Sequence, residues 1–142
     1  METILVVDDD PIILGLVQLY LEEQGYQVAT SEVGRDIIDR CLKEKPVIIL
    51  LDIWLADAHA LDLIKILKAH EGTKLIPIIL ISGENNSTVI GQALDLGADD
   101  YVAKPIDFII LHARINAALR HYRQNKELQT LKEEVAAYKE CL

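Results

Sequence analysis

Ile4-Leu5-Val6-Val7-Asp8-Asp9-Asp10 is an apolar run that stops at three consecutive carboxylates, and the same construction recurs three times along the chain. Val47-Ile48-Ile49-Leu50-Leu51 runs into Asp52, Ile76-Pro77-Ile78-Ile79-Leu80-Ile81 into Ser82-Gly83, and Tyr101-Val102-Ala103 into Lys104-Pro105. Short apolar runs of this kind read as strands buried on both faces, as in a parallel sheet. Parallel strands all point the same way, so their terminal residues gather at one sheet edge. That edge would hold three or four carboxylates, a hydroxyl and an ammonium, a composition suited to phosphate or metal chemistry.

Helical patterns lie between the runs. Asp10 suits an N-cap and Pro11 a first helical residue, with Ile13, Leu14, Val17 and Leu21 inward over 11–24 and a stop at Gly25. A short strand over 26–30 follows, then a helix over about 33–44 with Ile37, Ile38, Cys41 and Leu42 on one face, ended by Pro46. A third helix carries Leu61, Leu63, Ile64 and Leu67 to a stop near Gly72. A fourth, capped by Ser87 or Thr88, turns Val89, Ile90, Ala93 and Leu94 inward and stops at Gly97, and Asp107 caps a fifth. Five strand–helix units in sequence predict an α/β, doubly wound parallel sheet with right-handed crossovers and helices on both faces.

With 142 residues, 51% of them hydrophobic, the chain reads as one domain with a short appendage. No apolar stretch reaches the roughly 18 residues of a membrane span, and Met1-Glu2-Thr3 lacks the basic and apolar segments of a signal peptide. Cys41 and Cys141 show no ligand-like spacing and read as free thiols in a reducing cytoplasm. The net charge of −9 is unevenly placed. From Arg120 onward there are five basic and four acidic residues, leaving nine basic and nineteen acidic before it. So acidic a globule suits cations and basic partner surfaces and is a poor direct binder of nucleic acid.

The last helix departs from the pattern. From Ile106 to Leu142 there is neither Gly nor Pro, and Leu128, Leu131, Val135, Tyr138 and Leu142 repeat at 3-4-3-4 spacing. That is the spacing of a coiled-coil seam, although two heptads are fewer than a firm signal needs and a frayed amphipathic tail is the alternative. The seam is still in progress at Leu142, which suggests a chain cut from a longer protein.

In open α/β sheets, ligands sit outside the carboxyl ends of the strands where the winding reverses. Asp8, Asp9 and Asp52 meet that description. Crowded carboxylates repel and raise one another's pKa, and a hard divalent cation such as Mg²⁺ resolves the repulsion with a sparse oxygen set completed by water. Mg²⁺ binding is therefore expected to weaken as pH falls toward about 4–5. Asp52, beside the metal on a rigid strand end, is placed to attack phosphorus as an aspartyl nucleophile. Lys104 supplies a point charge for phosphoryl oxygens, Ser82 a hydroxyl donor, and Gly83 room for the phosphoryl group. His59, His70, His112 and His121 show no spacing that suggests a zinc site and read as surface or core-edge residues, with His59 near the site mouth. No Gly-rich phosphate loop follows the first strand, and Tyr20 and Tyr26 read as packing residues.

Together with Leu96-Gly97-Ala98-Asp99-Asp100-Tyr101-Val102-Ala103-Lys104-Pro105, these pieces make the chain resemble the receiver domain of a two-component response regulator, of the chemotaxis-regulator-like kind, over residues 1 to about 120. The resemblance implies a flavodoxin-like sheet of order 2-1-3-4-5. It assigns residues 1–120 to the receiver and 121–142 to a helical coiled-coil linker leading toward an output domain. Asp52 becomes the phosphoacceptor, served by a histidine kinase or a histidine phosphotransfer protein. Asp9 becomes a direct Mg²⁺ ligand and Asp8 one acting mostly through water, with Asp52 and the Trp54 backbone carbonyl completing the set. Lys104 contacts the phosphoryl group and precedes a cis peptide bond. Ser82 moves toward the phosphate and Tyr101 swings in behind it, a two-state element biased by one local charge event. Trp54, Gly83 and Glu84 flank the phosphoryl group, and Trp54 with Glu84 tunes how fast it is gained or lost. A homodimer through the face of helix 4, strand 5 and helix 5, and through the C-terminal helix, is implied as the output.

Two positions depart from the family's usual loop: Ala56 and Ala60 stand where a proline and a glycine are common, which alters loop stiffness and any turn of positive φ. They keep a second reading open, a receiver-like scaffold that pairs proteins without phosphorylation. An Mg²⁺-dependent phosphohydrolase is disfavoured, since haloacid-dehalogenase-type enzymes carry a second aspartate where this chain has Trp54.

Overall fold

The computed structural model describes residues 1–83 and 87–142. Strands β1 (Thr3–Val7), β2 (Gln27–Ser31), β3 (Ile48–Asp52), β4 (Ile78–Ser82) and β5 (Asp100–Ala103) alternate with helices α1 (Pro11–Glu23), α2 (Ile37–Glu44), α3 (Ala60–Ala69), α4 (Ser87–Leu96) and α5 (Phe108–Cys141). All five strands are parallel, in the order β2-β1-β3-β4-β5. Val7 pairs with Leu51, Asp52 with Ile81 and Ser82 with Ala103, so the polar strand ends arrive at one edge. The winding reverses between β1 and β3, where such sheets bind ligands.

Every position of β3 and β4 is buried. Alternate residues feed two cores. Ile4, Val6, Leu50, Ile79 and Ile81 meet α1 and α5 on one face, while Leu5, Val7, Leu51, Ile78 and Leu80 meet α2, α3 and α4 on the other. Tyr20 stacks on Phe108 with ring centroids 4.8 Å apart, and Tyr26 packs on the same core.

Helix ends follow local chemistry. Asp10 caps α1 by accepting from the Ile12 N–H at 2.9 Å, and Gly25 takes φ +95° just past its end. Asp107 accepts from the N–H groups of Ile109 and Ile110 to start α5. The helix expected from about residue 33 begins instead at Ile37. The cause lies far along the chain: the Asp57 carboxylate accepts from the N–H groups of Gly34 and Arg35, at 2.9 and 3.0 Å, and holds this stretch as a turn. Two expected inward residues are also turned out, Leu42 on α2 and Leu94 on α4, each more than a third exposed, and Ala93 is the buried residue of α4. Both helices bury narrow faces, Ile37 and Cys41 on α2 and Ala93 alone on α4.

Helix α5 has 34 residues, about 51 Å at roughly 1.5 Å per residue. Its buried positions end at Leu119. One more turn is gripped at the foot of the sheet, where Arg123 pairs with Glu2 at 2.6 Å and Tyr122 and Lys126 line a cavity of about 290 Å³ with Leu42 and Leu75. Every residue from Glu127 to Leu142 is exposed. Among the described residues no helix is long and apolar enough to cross a membrane.

Candidate functional site

Asp8 follows directly on β1 and Asp52 is the last residue of β3. A buried strand fixes the backbone of both, and each side chain is almost completely enclosed while Asp9 faces solvent. One carboxylate oxygen from each of Asp8, Asp9 and Asp52 lies within 4.8 Å of the others. Lys104, one residue beyond β5, reaches across the edge, its Nζ 3.3 Å from Asp8 Oδ2 and 3.5 Å from Asp52 Oδ1. The Lys104–Pro105 peptide is cis.

Hydrogen bonds fix the rotamers. Asp8 Oδ1 accepts from the Asp10 N–H at 2.9 Å and Asp52 Oδ1 from the Trp54 N–H at 3.3 Å. Asp8 Oδ2 is buried and accepts no hydrogen bond among the described residues. Burial raises the Asp52 pKa, and the Asp8 carboxylate adds to the rise. The Lys104 ammonium and the Trp54 N–H oppose it, and the balance stands at about 6. Three carboxylates against one ammonium leave two uncompensated negative charges when all are ionised, and the buried Asp8 Oδ2 faces only the Lys104 ammonium, at 3.3 Å. An oxygen set of this charge and sparseness fits a hard divalent cation.

Ser82, the last residue of β4, is buried, and its Oγ donates to the Gly83 carbonyl at 3.0 Å. Gly83 leaves open space where a Cβ would point. Tyr101 on β5 is turned outward and 38% exposed, with the Arg114 guanidinium 5.7 Å from its ring centroid. Arg114 also grips Asp100 through two contacts of 3.0 Å. Between Ser82 and Tyr101 lies a cleft of about 420 Å³ whose lining includes Gly83, Ile90, Leu94 and Ala103. Glu84, expected beside the phosphoryl group, lies outside the described residues.

The loop after Asp52 holds features that spacing did not single out. Trp54 is half exposed and meets the His59 ring edge-on, centroids 5.4 Å apart. His59 Nδ1 accepts from the Leu61 N–H at 3.1 Å and so caps α3, a role that its residue type rarely signals. Asp57 ties the loop to Gly34, where an added Cβ would come within 2.7 Å of Leu63 and 3.0 Å of Leu55. Ala60 is fully buried in the first turn of α3. Lys45 is the only non-glycine residue of positive φ among the described residues, so neither Ala56 nor Ala60 occupies a left-handed turn.

The sequence profile described as response regulator receiver domain matches residues 4–116. The transcriptional regulatory protein KdpE of Mycobacterium tuberculosis is 36% identical over 129 residues, which are 91% of this chain and 56% of that protein. The alkaline phosphatase synthesis transcriptional regulatory protein PhoP of Bacillus subtilis is 35% identical over 117 residues, 82% of this chain and 48% of that protein. The chain thus spans about half the length of these curated relatives. Among solved structures, NtrX from Brucella abortus superposes with a TM-score of 0.83 at 28% identity, covering 92% of this chain and 30% of that one. A two-component response regulator from Clostridium difficile superposes at 0.78 with 29% identity, covering 84% and 97%.

Proposed function

This chain belongs to the family of response regulator receiver domains, and on that premise we propose that it is a phosphorylation-dependent switch in which Asp52 takes a phosphoryl group from a phosphohistidine of a histidine kinase or a histidine phosphotransfer protein. The observation that carries the reading is the enclosed Asp52 carboxylate, held by the Trp54 N–H and faced by Lys104, Asp8 and Asp9. An Asp52 oxygen attacks phosphorus, the N–P bond breaks, and its electron pair returns to the imidazole nitrogen. Lys104 shifts from the carboxylates to the phosphoryl oxygens as their charge builds. Asp8, Asp9, Asp52 and the Trp54 carbonyl are the residues that would hold Mg²⁺, and the ion, when bound, neutralises phosphoryl charge.

The product is an acyl phosphate, which the domain also loses by its own slow hydrolysis. Trp54 and Gly83, with Glu84, flank the group and set how freely water reaches it. Ser82 turns from the Gly83 carbonyl toward the phosphate. The cleft behind Ser82 then receives Tyr101, which leaves Arg114, and the surface of α4, β5 and α5 changes shape. That surface and the C-terminal helix form the homodimer contact. The apolar lip beside Lys104, where Leu16, Pro105 and Phe108 border a groove of about 260 Å³, gives a helical donor a dry surface next to the nucleophile. The domain acts in the cytoplasm, and the excess of ten acidic groups over residues 1–119 makes it a poor direct binder of nucleic acid.

The test is incubation with Mg²⁺ and acetyl phosphate, followed by intact-mass measurement. One added phosphoryl group per chain, absent in Asp52→Asn, supports the switch. No adduct would favour a phosphorylation-independent scaffold, and sustained turnover of external phosphate esters would favour a hydrolase.

A further inference from the structure

Four charged side chains flank the exposed stripe of α5 in a fixed pattern. With Leu128, Val135 and Leu142 at heptad positions a and Leu131 and Tyr138 at d, Glu127 and Glu134 occupy g while Lys132 and Lys139 occupy e. These charges do not serve their own helix. Ion pairs on one helix need separations of three or four residues. At those separations Glu134, Lys132 and Lys139 meet no residue of opposite charge, and Glu127 meets only Arg123, which is held by Glu2 at 2.6 Å. None of the four joins an ion pair among the described residues.

Between helices the same pattern is complementary in one orientation alone. In a parallel pair, g of one helix faces e of the next heptad on its partner. Glu127 then meets Lys132 of the second copy and Glu134 meets Lys139, twice each by symmetry. In an antiparallel pair g faces g and e faces e, so Glu would meet Glu and Lys would meet Lys. We infer that the stripe is built for a second copy of this chain in parallel register, with Leu128, Leu131, Val135, Tyr138 and Leu142 as the seam and the Glu127–Lys132 and Glu134–Lys139 pairs fixing orientation.

Two further observations agree. The five seam residues are all at least half exposed, 51% at Leu128 and Leu131 and 88% at Leu142. The heptad continued toward the N-terminus also places Ile110, Ala117 and His121, all exposed, on the partner side. A straight helix drifts only about 20° per heptad from that register. Ala117 and His121 border Asp99, Asp100 and Arg114 at the edge of β5, so the stripe leads, through the polar seam positions Gln124 and Arg114, into the face that Tyr101 would reshape. Parallel pairing sets both globules at the same end, where that face of each copy is turned to the other.

This deepens the reading of α5 as the path by which the signal leaves, yet it is tested apart from phosphotransfer, which is read at Asp52. Sedimentation equilibrium of the 142-residue chain, with and without Mg²⁺ and beryllofluoride, should show a two-chain mass that dissociates more readily as salt rises. Leu131→Ser/Val135→Ser should raise the dissociation constant by at least about tenfold. Glu127→Lys/Glu134→Lys should raise it by about tenfold at low salt, because four attractions become four repulsions. Adding Lys132→Glu/Lys139→Glu to that chain should restore it. The tail lies outside the core, so an unchanged melting transition of the globule identifies a variant that is folded. A single-chain mass in every condition, a dimer indifferent to Leu131 and Val135, or a dimer that tightens with salt and ignores Glu127→Lys/Glu134→Lys would each overturn the assignment.

Discussion

Asp52 is held at a cost. Burial and the neighbouring Asp8 carboxylate outweigh Lys104 and the Trp54 N–H, so its pKa stands at about 6 against an ordinary 3.8. A raised carboxylate binds more protons folded than unfolded between those two values. Its stabilising contribution is therefore complete below about 4 and is lost as pH rises through about 6. At pH 7 the ionised Asp52 is a liability, and Asp52→Asn should raise unfolding free energy there by about 1–2 kcal/mol, discounted for solvent screening. The gain should vanish by pH 4. Urea denaturation at the two pH values checks this, and a variant no more stable than the parent at pH 7 would contradict the crowding of Asp8 and Asp52. Residues of this kind were legible in the sequence because each ends an apolar run, and strand geometry then dictates that they meet. Asp57 and His59 were not, because their partners are backbone N–H groups whose position depends on how two loops pack. An Asp or His in a loop looks the same whether it holds another segment or faces water.

Elements divide along the same line. The strands could be read directly, since burial on both faces demands unbroken apolar sequence. Helix ends could be read where a side chain close in sequence supplies the cap, as at Asp10 and Asp107. The start of α2 could not, because Asp57 competes for the Gly34 and Arg35 N–H groups from 22 and 23 residues away. Two predictions belong to this scale. Asp107→Ala leaves the Ile109 and Ile110 N–H groups without their acceptor and should cost about 1 kcal/mol, while Asp107→Asn should cost much less. Thermal denaturation separates the two variants, and equal losses would mean that the cap acts through charge alone. Asp57→Ala should accelerate amide hydrogen exchange at Gly34 and Arg35 and leave exchange in β3 unchanged. Exchange as slow as in the parent would show that loop packing, not the carboxylate, holds the turn.

For the molecule as a whole, the proposed site would couple metal, protons and folding. Asp8 and Asp9 lie more than forty residues from Asp52 in sequence, and only the folded sheet brings their oxygens within 4.8 Å. A divalent cation held by these oxygens would therefore bind the folded chain in preference to the unfolded one. It should stabilise the fold by about 2.7 kcal/mol when Mg²⁺ exceeds its dissociation constant a hundredfold. Protons compete for the same oxygens. Ordinary carboxylates would lose the ion only near pH 4–5, but with Asp52 at about 6 the loss should begin more than a pH unit higher. The two curves then approach one another from opposite sides. As pH falls from 7.5, the metal-free chain gains the stability that Asp52 recovers on protonation, while the Mg²⁺-loaded chain surrenders its bound ion. Melting curves at pH 7.5, 6.5, 5.5 and 4.5, with and without Mg²⁺, should show a gap that narrows most steeply around pH 6 and closes by 4.5. In Asp52→Asn the gap should be smaller at pH 7.5 and should narrow at a lower pH, because the proton that competes best for the site has been removed. A gap that stays constant to pH 4.5, or that Asp52→Asn leaves untouched, would place the ion elsewhere and detach Asp8, Asp9 and Asp52 from metal chemistry.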